Sequence, residues 1–338
     1  MMHRAGARLR NALLVFVCTT NALADQQLAA IGDFTLDSGD VVKNCRVGYR
    51  TFGELNEQRS NVVIFPTWFG GTSADLAKHG KIGPGAIADS DRYFIITIDA
   101  LGNGISCSPS NSKLESGKRF IALSTADMVR SQYRLLTEQL GIERVHAIIG
   151  ISMGGMQTFR WVEMYPGFMD KAVIIDGSPK MTSYDLLQWH IHKDVIRTLQ
   201  RNGASDAEIG SVISRLSFLT LFTPDYFVET ISPEAIDGFL EPTYQPNAAF
   251  RADDYVSQLD AMMNHDVAAT VPEIMAGRED VDILIIGTPS DQMVNPVPAK
   301  KLAQAIGADY VAIDSNCGHI GSSCENQRVT SEVAAFLK

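Results

Sequence analysis

A run of apolar, largely β-branched residues, Val145 to Ile149, leads without interruption into Gly150-Ile151-Ser152-Met153-Gly154-Gly155. A helix-compatible run then begins at Met156. Buried strand, sharp turn and helix in that order leave the central serine few alternatives. The flanking glycines permit close backbone approach, and the turn lifts the hydroxyl clear of the sheet. G-x-S-x-G alone is a weak motif; its position between strand and helix makes it specific. A phosphate-binding turn would need the lysine of a P-loop or the spacing G-x-G-x-x-G, and this segment has neither.

The rest of the chain repeats the rhythm. Arg46 to Phe52 alternates like a strand, and Asn61–Phe65, Tyr93–Asp99, Ala172–Ile175, Ile283–Gly287 and Tyr310–Ile313 read as strands buried on both faces. Helix candidates lie between them, among them Thr125 to Leu140 with Gly141 as its stop. This βα alternation predicts an open, mostly parallel sheet flanked by helices. The rhythm breaks between about residues 181 and 272, a helical segment rich in aromatic and Met residues. Such an insertion is expected to form a cap over the active-site end of the sheet. With 338 residues, 45% hydrophobic and 20% charged, we expect one large domain carrying that insertion.

A serine hydroxyl becomes nucleophilic only beside a base. On an elbow of this kind the acid and then the histidine follow the serine in the chain. Of seven histidines only His319 follows the last expected strand, in Asn316-Cys317-Gly318-His319. His146 opens the strand leading to Ser152 and belongs at the wrong end of the sheet. His79, His190, His192 and His265 read as surface or cap residues. Asp291, in the turn after strand Ile283–Gly287, is the acid expected to orient His319, with Asp176 next and Asp314 third. The oxyanion donors are expected to be the backbone N–H groups of Met153, which follows the nucleophile, and Trp68, with Phe69 as runner-up. The last two lie in Pro66-Thr67-Trp68-Phe69-Gly70-Gly71. No cofactor or metal is expected, since no C-x-x-C or H-x-x-x-H spacing occurs among the remaining Cys and His.

The N-terminus reads as a signal peptide over residues 1–24: Arg4, Arg8 and Arg10, an apolar run from Ala12, and Ala22-Leu23-Ala24 as a small-x-small cleavage site. Its removal would change the formal charge from −10 to about −13. That balance argues against nucleic acid or an anionic membrane surface as partner. No stretch reaches the ~18–20 apolar residues of a membrane span, so no membrane anchor is expected after cleavage. A periplasmic or secreted protein can keep disulfides. Cys317 and Cys324 flank His319 closely enough to pair, but pairing among Cys45, Cys107, Cys317 and Cys324 is left open, as is a homodimer.

Several segments in combination resemble homoserine O-acetyltransferase-like enzymes. They are Phe34-Thr35-Leu36-Asp37-Ser38-Gly39, then Val47 to Asn56, Leu101-Gly102-Asn103-Gly104 with Ser108-Pro109-Ser110, Asp127-Met128-Val129 with Gln132, and Ser152 to Gln157. Asp253 to Tyr255 with His265-Asp266-Val267 is a fainter match. The resemblance covers most of residues 33–180 and 280–320. It implies an α/β-hydrolase fold with a helical cap and acyl transfer through a serine acyl-enzyme on Ser152, Asp291 and His319. Departures are Ile320 where the transferases usually carry Asp, a cap segment Leu186–Arg201 unlike their arginine-bearing one, and the aromatic loop Trp68-Phe69-Gly70-Gly71. The expected activity is therefore an exported hydrolase of small to medium acyl esters. An acetyl-CoA-dependent O-acyltransferase is the alternative, and a non-catalytic binding protein on the same fold is the third reading.

Overall fold

The computed structural model describes residues 24–117 and 122–338. Apart from Ala24, the expected signal segment lies outside the described residues. Eight strands form one sheet: β1 (Gln27–Thr35), β2 (Val41–Phe52), β3 (Val62–Pro66), β4 (Phe94–Ile98), β5 (Val145–Ile151), β6 (Met169–Ile175), β7 (Asp282–Gly287) and β8 (Asp309–Ala312). Their spatial order is β1-β2-β4-β3-β5-β6-β7-β8. β1 and β2 are antiparallel to their neighbours, and the remaining pairs are parallel. The sequence reading missed β1, because only Ile31 and Phe34 are buried along it and irregularities at Gly32 break its alternation.

The continuous apolar runs are explained by burial on both faces. In β3, Val62 and Ile64 enter one core, while Val63 and Phe65 enter the other. Helices Thr125–Arg134 and Met153–Met164 cover the first face with Met128, Val129, Phe159 and Trp161. Helix Asn326–Phe336 covers the second with Val329 and Val333. Each such side chain, when fully buried, contributes roughly 1.5–3 kcal/mol. The helix starting at Thr125 runs to Arg134 and continues as a π-helical turn, Leu135–Gln139, before Gly141 at φ +60°.

Register places the site. Ile151 pairs with Ile175, and Ile175 with Ile286, so β5, β6 and β7 end in one row. Ser152 N–H donates to the Ile175 carbonyl and Asp176 N–H to that of Ile286, both at 2.9 Å. The loops after these strands therefore emerge side by side at the carboxyl edge, where α/β sheets bind ligands. Between β6 and β7 the chain is helical, including Ser183–Arg201, Asp206–Leu221 and Ala252–Met263. These helices share a small core of Ile196, Ile209, Ile213 and Ala252. Polar anchors tie them to the sheet loops. Asp254 accepts from Ser110 N–H (2.8 Å) and hydroxyl (2.6 Å), and Gln188 Nε2 donates to the Gln292 and Met293 carbonyls at 3.0 and 2.9 Å.

Candidate active site

Ser152 sits between β5 and the following helix at φ +57°, ψ −122°. This is a sparsely populated conformation for a residue with a side chain, and it persists only where the surroundings enforce it. The two motif glycines supply that enforcement. A Cβ on Gly150 would lie 2.1 Å from the Gly154 carbonyl oxygen, and one on Gly154 would lie 2.7 Å from that of Pro66. Any larger residue at either position would push the turn open.

The structure brings Ser152, His319 and Asp291 into one hydrogen-bonded chain. His319 Nε2 lies 2.8 Å from Ser152 Oγ, and His319 Nδ1 lies 2.7 Å from Asp291 Oδ2. The other carboxylate oxygen, Oδ1, accepts from Met293 N–H at 2.8 Å and Val294 N–H at 2.9 Å. An ionised carboxylate only accepts, so Nδ1 carries the proton and Nε2 is free to accept from the serine. Burial acts to lower the His319 pKa, but the Asp291 carboxylate, helped by Asp176 and Asp185, outweighs it and the net shift is upward. The arrangement can take a proton from Ser152 and hold it as an imidazolium.

The other two acids are in different situations. Asp314 is exposed. Asp176 is buried at the end of β6; its Oδ1 accepts from Thr288 N–H at 2.9 Å, and Oδ2 has no hydrogen-bond partner among the described residues. Burial, then repulsion from Asp291, raises its pKa to about 6. Because the folded value exceeds the ordinary one of 3.8, the folded state holds this proton more tightly. Stability is therefore lost as pH rises from about 4 to about 6. Asp176→Asn should remove that cost: its melting-temperature gain over wild type should be larger at pH 8 than at pH 5. An equal gain at both values would contradict the assignment.

The loop carrying Trp68 is held on both sides. Thr67 N–H donates to the Ile98 carbonyl at 3.1 Å, and Gly70 N–H to Gln258 Oε1 at 2.9 Å. Among the described residues the Trp68 N–H has no protein acceptor, and Met153 opens its helix, where N–H groups lack intrahelical partners. One side chain that sequence reasoning did not assign connects both positions. Gln157 Nε2 donates to the carbonyls of Thr67 (3.0 Å) and Met153 (3.1 Å), and its Oε1 accepts from Gln132, whose own Oε1 accepts from Trp161 Nε1. Gln157 and Gln132 were visible only as part of the family resemblance. Their bonds cross 25 and 90 residues of sequence, and no local pattern reports them. The Phe69 ring packs against Trp189 and Tyr255, with centroids 5.7 and 4.5 Å away.

Two of the histidines read as surface or cap residues, His192 and His265, lie between β6 and β7 and are buried. His192 bonds Tyr255 and His265 bonds Thr125, each at 2.9 Å, and burial lowers their pKa to about 4 and about 3. Both are neutral structural partners at ordinary pH. His190 is exposed, His79 is exposed beside Trp68, and His146 stacks on Tyr93 at the opposite end of β5, as its position in the strand implied. The open cysteine question resolves into two disulfides, Cys317–Cys324 across the His319 loop and Cys45–Cys107, with Cα separations of 6.6 and 5.6 Å.

A cavity of about 640 Å³ lies over Ser152 and His319. Phe69, Trp189, Leu221, Tyr255, Met262 and Met293 form much of its wall, so the interstrand helices supply a large share of it. Its size and mostly apolar surface suit a small organic molecule.

The sequence family described as the alpha/beta hydrolase fold matches residues 61–323, which span the elbow, the acid loop and the histidine loop. The chain belongs to the α/β-hydrolase fold family. Within the family, a Corynebacterium glutamicum protein named "Probable esterase" is 36% identical over 171 residues. That match covers 50% of this chain and 49% of the relative, so it spans about half the relative's length. A homoserine O-acetyltransferase of Clavibacter michiganensis is 28% identical over 93% of both chains, which bears out the resemblance read from the segments above. Among solved structures, an acetylester hydrolase from Corynebacterium glutamicum superposes with a TM-score of 0.81 at 25% identity, covering 93% of this chain and 95% of that one.

Proposed function

We propose that this α/β hydrolase is an exported serine hydrolase of carboxylic esters with short to medium acyl groups. The observation that carries the reading is the Ser152–His319–Asp291 chain, with links of 2.8 and 2.7 Å, at the floor of a mostly apolar cavity. Ser152 Oγ attacks the ester carbonyl carbon as His319 Nε2 takes its proton. The Met153 and Trp68 N–H groups receive the negative oxygen, and Gln157 acts as a positioning residue by fixing the carbonyls on either side of them. Collapse expels the alcohol, which takes the proton from His319. Water then attacks the acyl-enzyme by the same route and releases the acid. Likeness to an acetylester hydrolase supports an acetyl or similarly small acyl group.

Export to the periplasm or the medium is supported by the signal-like N-terminus and by two disulfides, which persist in oxidising compartments. The second reading, acyl transfer from acetyl-CoA to an alcohol, is favoured by the full-length likeness to a homoserine O-acetyltransferase. Against it, Ile320 lines the cavity next to His319 where the resemblance leads one to expect an Asp.

Purified protein given p-nitrophenyl acetate, with and without acetyl-CoA and homoserine, separates the two. We expect steady release of p-nitrophenol unaffected by either addition. Slow hydrolysis with acetyl groups passing from CoA to homoserine would instead establish the transferase.

A further inference from the structure

The cavity over Ser152 contains a cation to which the mechanism above gives no task. Lys81, in the loop after the short helix Ser73–Lys78, lines the same cavity as Ser152 and His319 and is only 4% exposed. An ammonium has three N–H donors. Among the described residues its one hydrogen-bond acceptor is Asn326 Oδ1, at 2.9 Å, and no carboxylate comes within the 4.0 Å of an ion pair. Buried lysines without a paired carboxylate are rare, because the desolvation of the charge goes uncompensated. Burial indeed pulls the Lys81 pKa below the ordinary lysine value, and the more distant Asp176 offsets only part of that. The neighbourhood is polar: Asn326, Ser322 and Ser323 line the same cavity.

We propose that Lys81 is a specificity-determining residue that binds a carboxylate on the substrate, so that the preferred ester is an anion. This rests on the ester-hydrolase reading of Ser152. An anionic group reaching Lys81 would supply the missing counter-charge and accept its unused N–H donors in a site where charge-assisted hydrogen bonds are strong. The apolar wall of Phe69, Trp189 and Met262 would hold the rest of the molecule. The carboxylate can come from either side of the scissile bond, from the acyl part, as in a half-ester of a short dicarboxylic acid, or from the alcohol part, as in the acetyl ester of a hydroxy acid.

The test compares kcat/KM for matched pairs of esters. Monoethyl succinate against diethyl succinate probes the acyl side; O-acetyl-lactate against its methyl ester probes the alcohol side. Wild type should favour the anion in one pair by roughly tenfold or more. Lys81→Met should collapse that ratio chiefly through KM, and Lys81→Arg should retain much of it. Should Lys81→Met not fold, inhibition of the wild type stands in: succinate should compete with neutral ester, and succinamide should not. Turnover of the neutral esters with no anion preference in either pair, or with a preference that survives Lys81→Met, would overturn the subsite alone. No turnover of the four esters while p-nitrophenyl acetate is still cleaved would likewise overturn the subsite alone, and no turnover of p-nitrophenyl acetate either would defeat the esterase reading and the subsite with it.

Discussion

Ser152→Ala should lower the turnover of an acyl ester by a factor on the order of 10⁶, the loss expected when the nucleophile of a serine–histidine pair is removed. The residual activity should come from the proposed oxyanion donors and from binding, since the Met153 and Trp68 N–H groups belong to the backbone and survive the substitution. The fold should hardly notice. The turn is imposed by the contacts at Gly150 and Gly154, and the variant gives up only the 2.8 Å bond to His319. One hydrogen bond of this kind is worth about 1 kcal/mol, so the melting temperature should move by only a few degrees. Activity and thermal unfolding measured on the same preparation check both halves. Esterase activity retained within tenfold would show that another residue is the nucleophile. Activity lost together with the fold would show that Ser152 is structural.

Asp291→Asn should lower kcat by roughly 10⁴, and the direction follows from the hydrogen bonds. Asp291 Oδ1 receives two backbone N–H groups, from Met293 and Val294, so an asparagine must turn its carbonyl oxygen to that side. Its NH₂ then faces His319 Nδ1, which is forced to accept. The ring proton moves to Nε2, where it points at Ser152 and blocks removal of the serine proton. The pH profile should move as well. Asp291 is the main group raising the His319 pKa against burial. In the wild type kcat/KM should fall as pH drops through an apparent value above the ordinary histidine 6.5, and in the variant that limb should shift to lower pH. Asp176 offers the sharpest control, because it also raises the His319 pKa but makes no hydrogen bond to the ring. Its own elevated pKa owes part of its rise to Asp291, so the remaining carboxylate ionises more readily once Asp291 is neutral. Asp176→Asn alone should cost far less than Asp291→Asn, and the double variant should fall below either. A profound loss in Asp176→Asn with a mild one in Asp291→Asn would transfer the orienting role to Asp176.

Much of the site was legible because its parts are encoded locally. The elbow needs glycines at fixed offsets from Ser152, a buried strand before it and a helix after it, and all three are contiguous in sequence. Chain order then singled out His319, the one histidine after the final strand. Asp291 was harder: three acids stood at strand ends, and only coordinates show that Asp314 is exposed, Asp176 is bonded to Thr288, and Asp291 reaches the imidazole. That His192 and His265 are buried was not legible, because a buried neutral histidine and an exposed one look the same in a helical or loop sequence.

Backbone chemistry and hydrophobic period by themselves determined the buried parallel strands, their burial on both faces and the position of Ser152 on its turn, because those depend on residues that are neighbours in the chain. Only the tertiary structure decided which carboxylate orients His319, which cysteines pair, that Gln157 ties the loop of Trp68 to the helix of Met153, and that Lys81 stands in the wall of the cavity. Each of those is a meeting of segments far apart in sequence. Its energy depends on distance and burial, which residue order alone does not record.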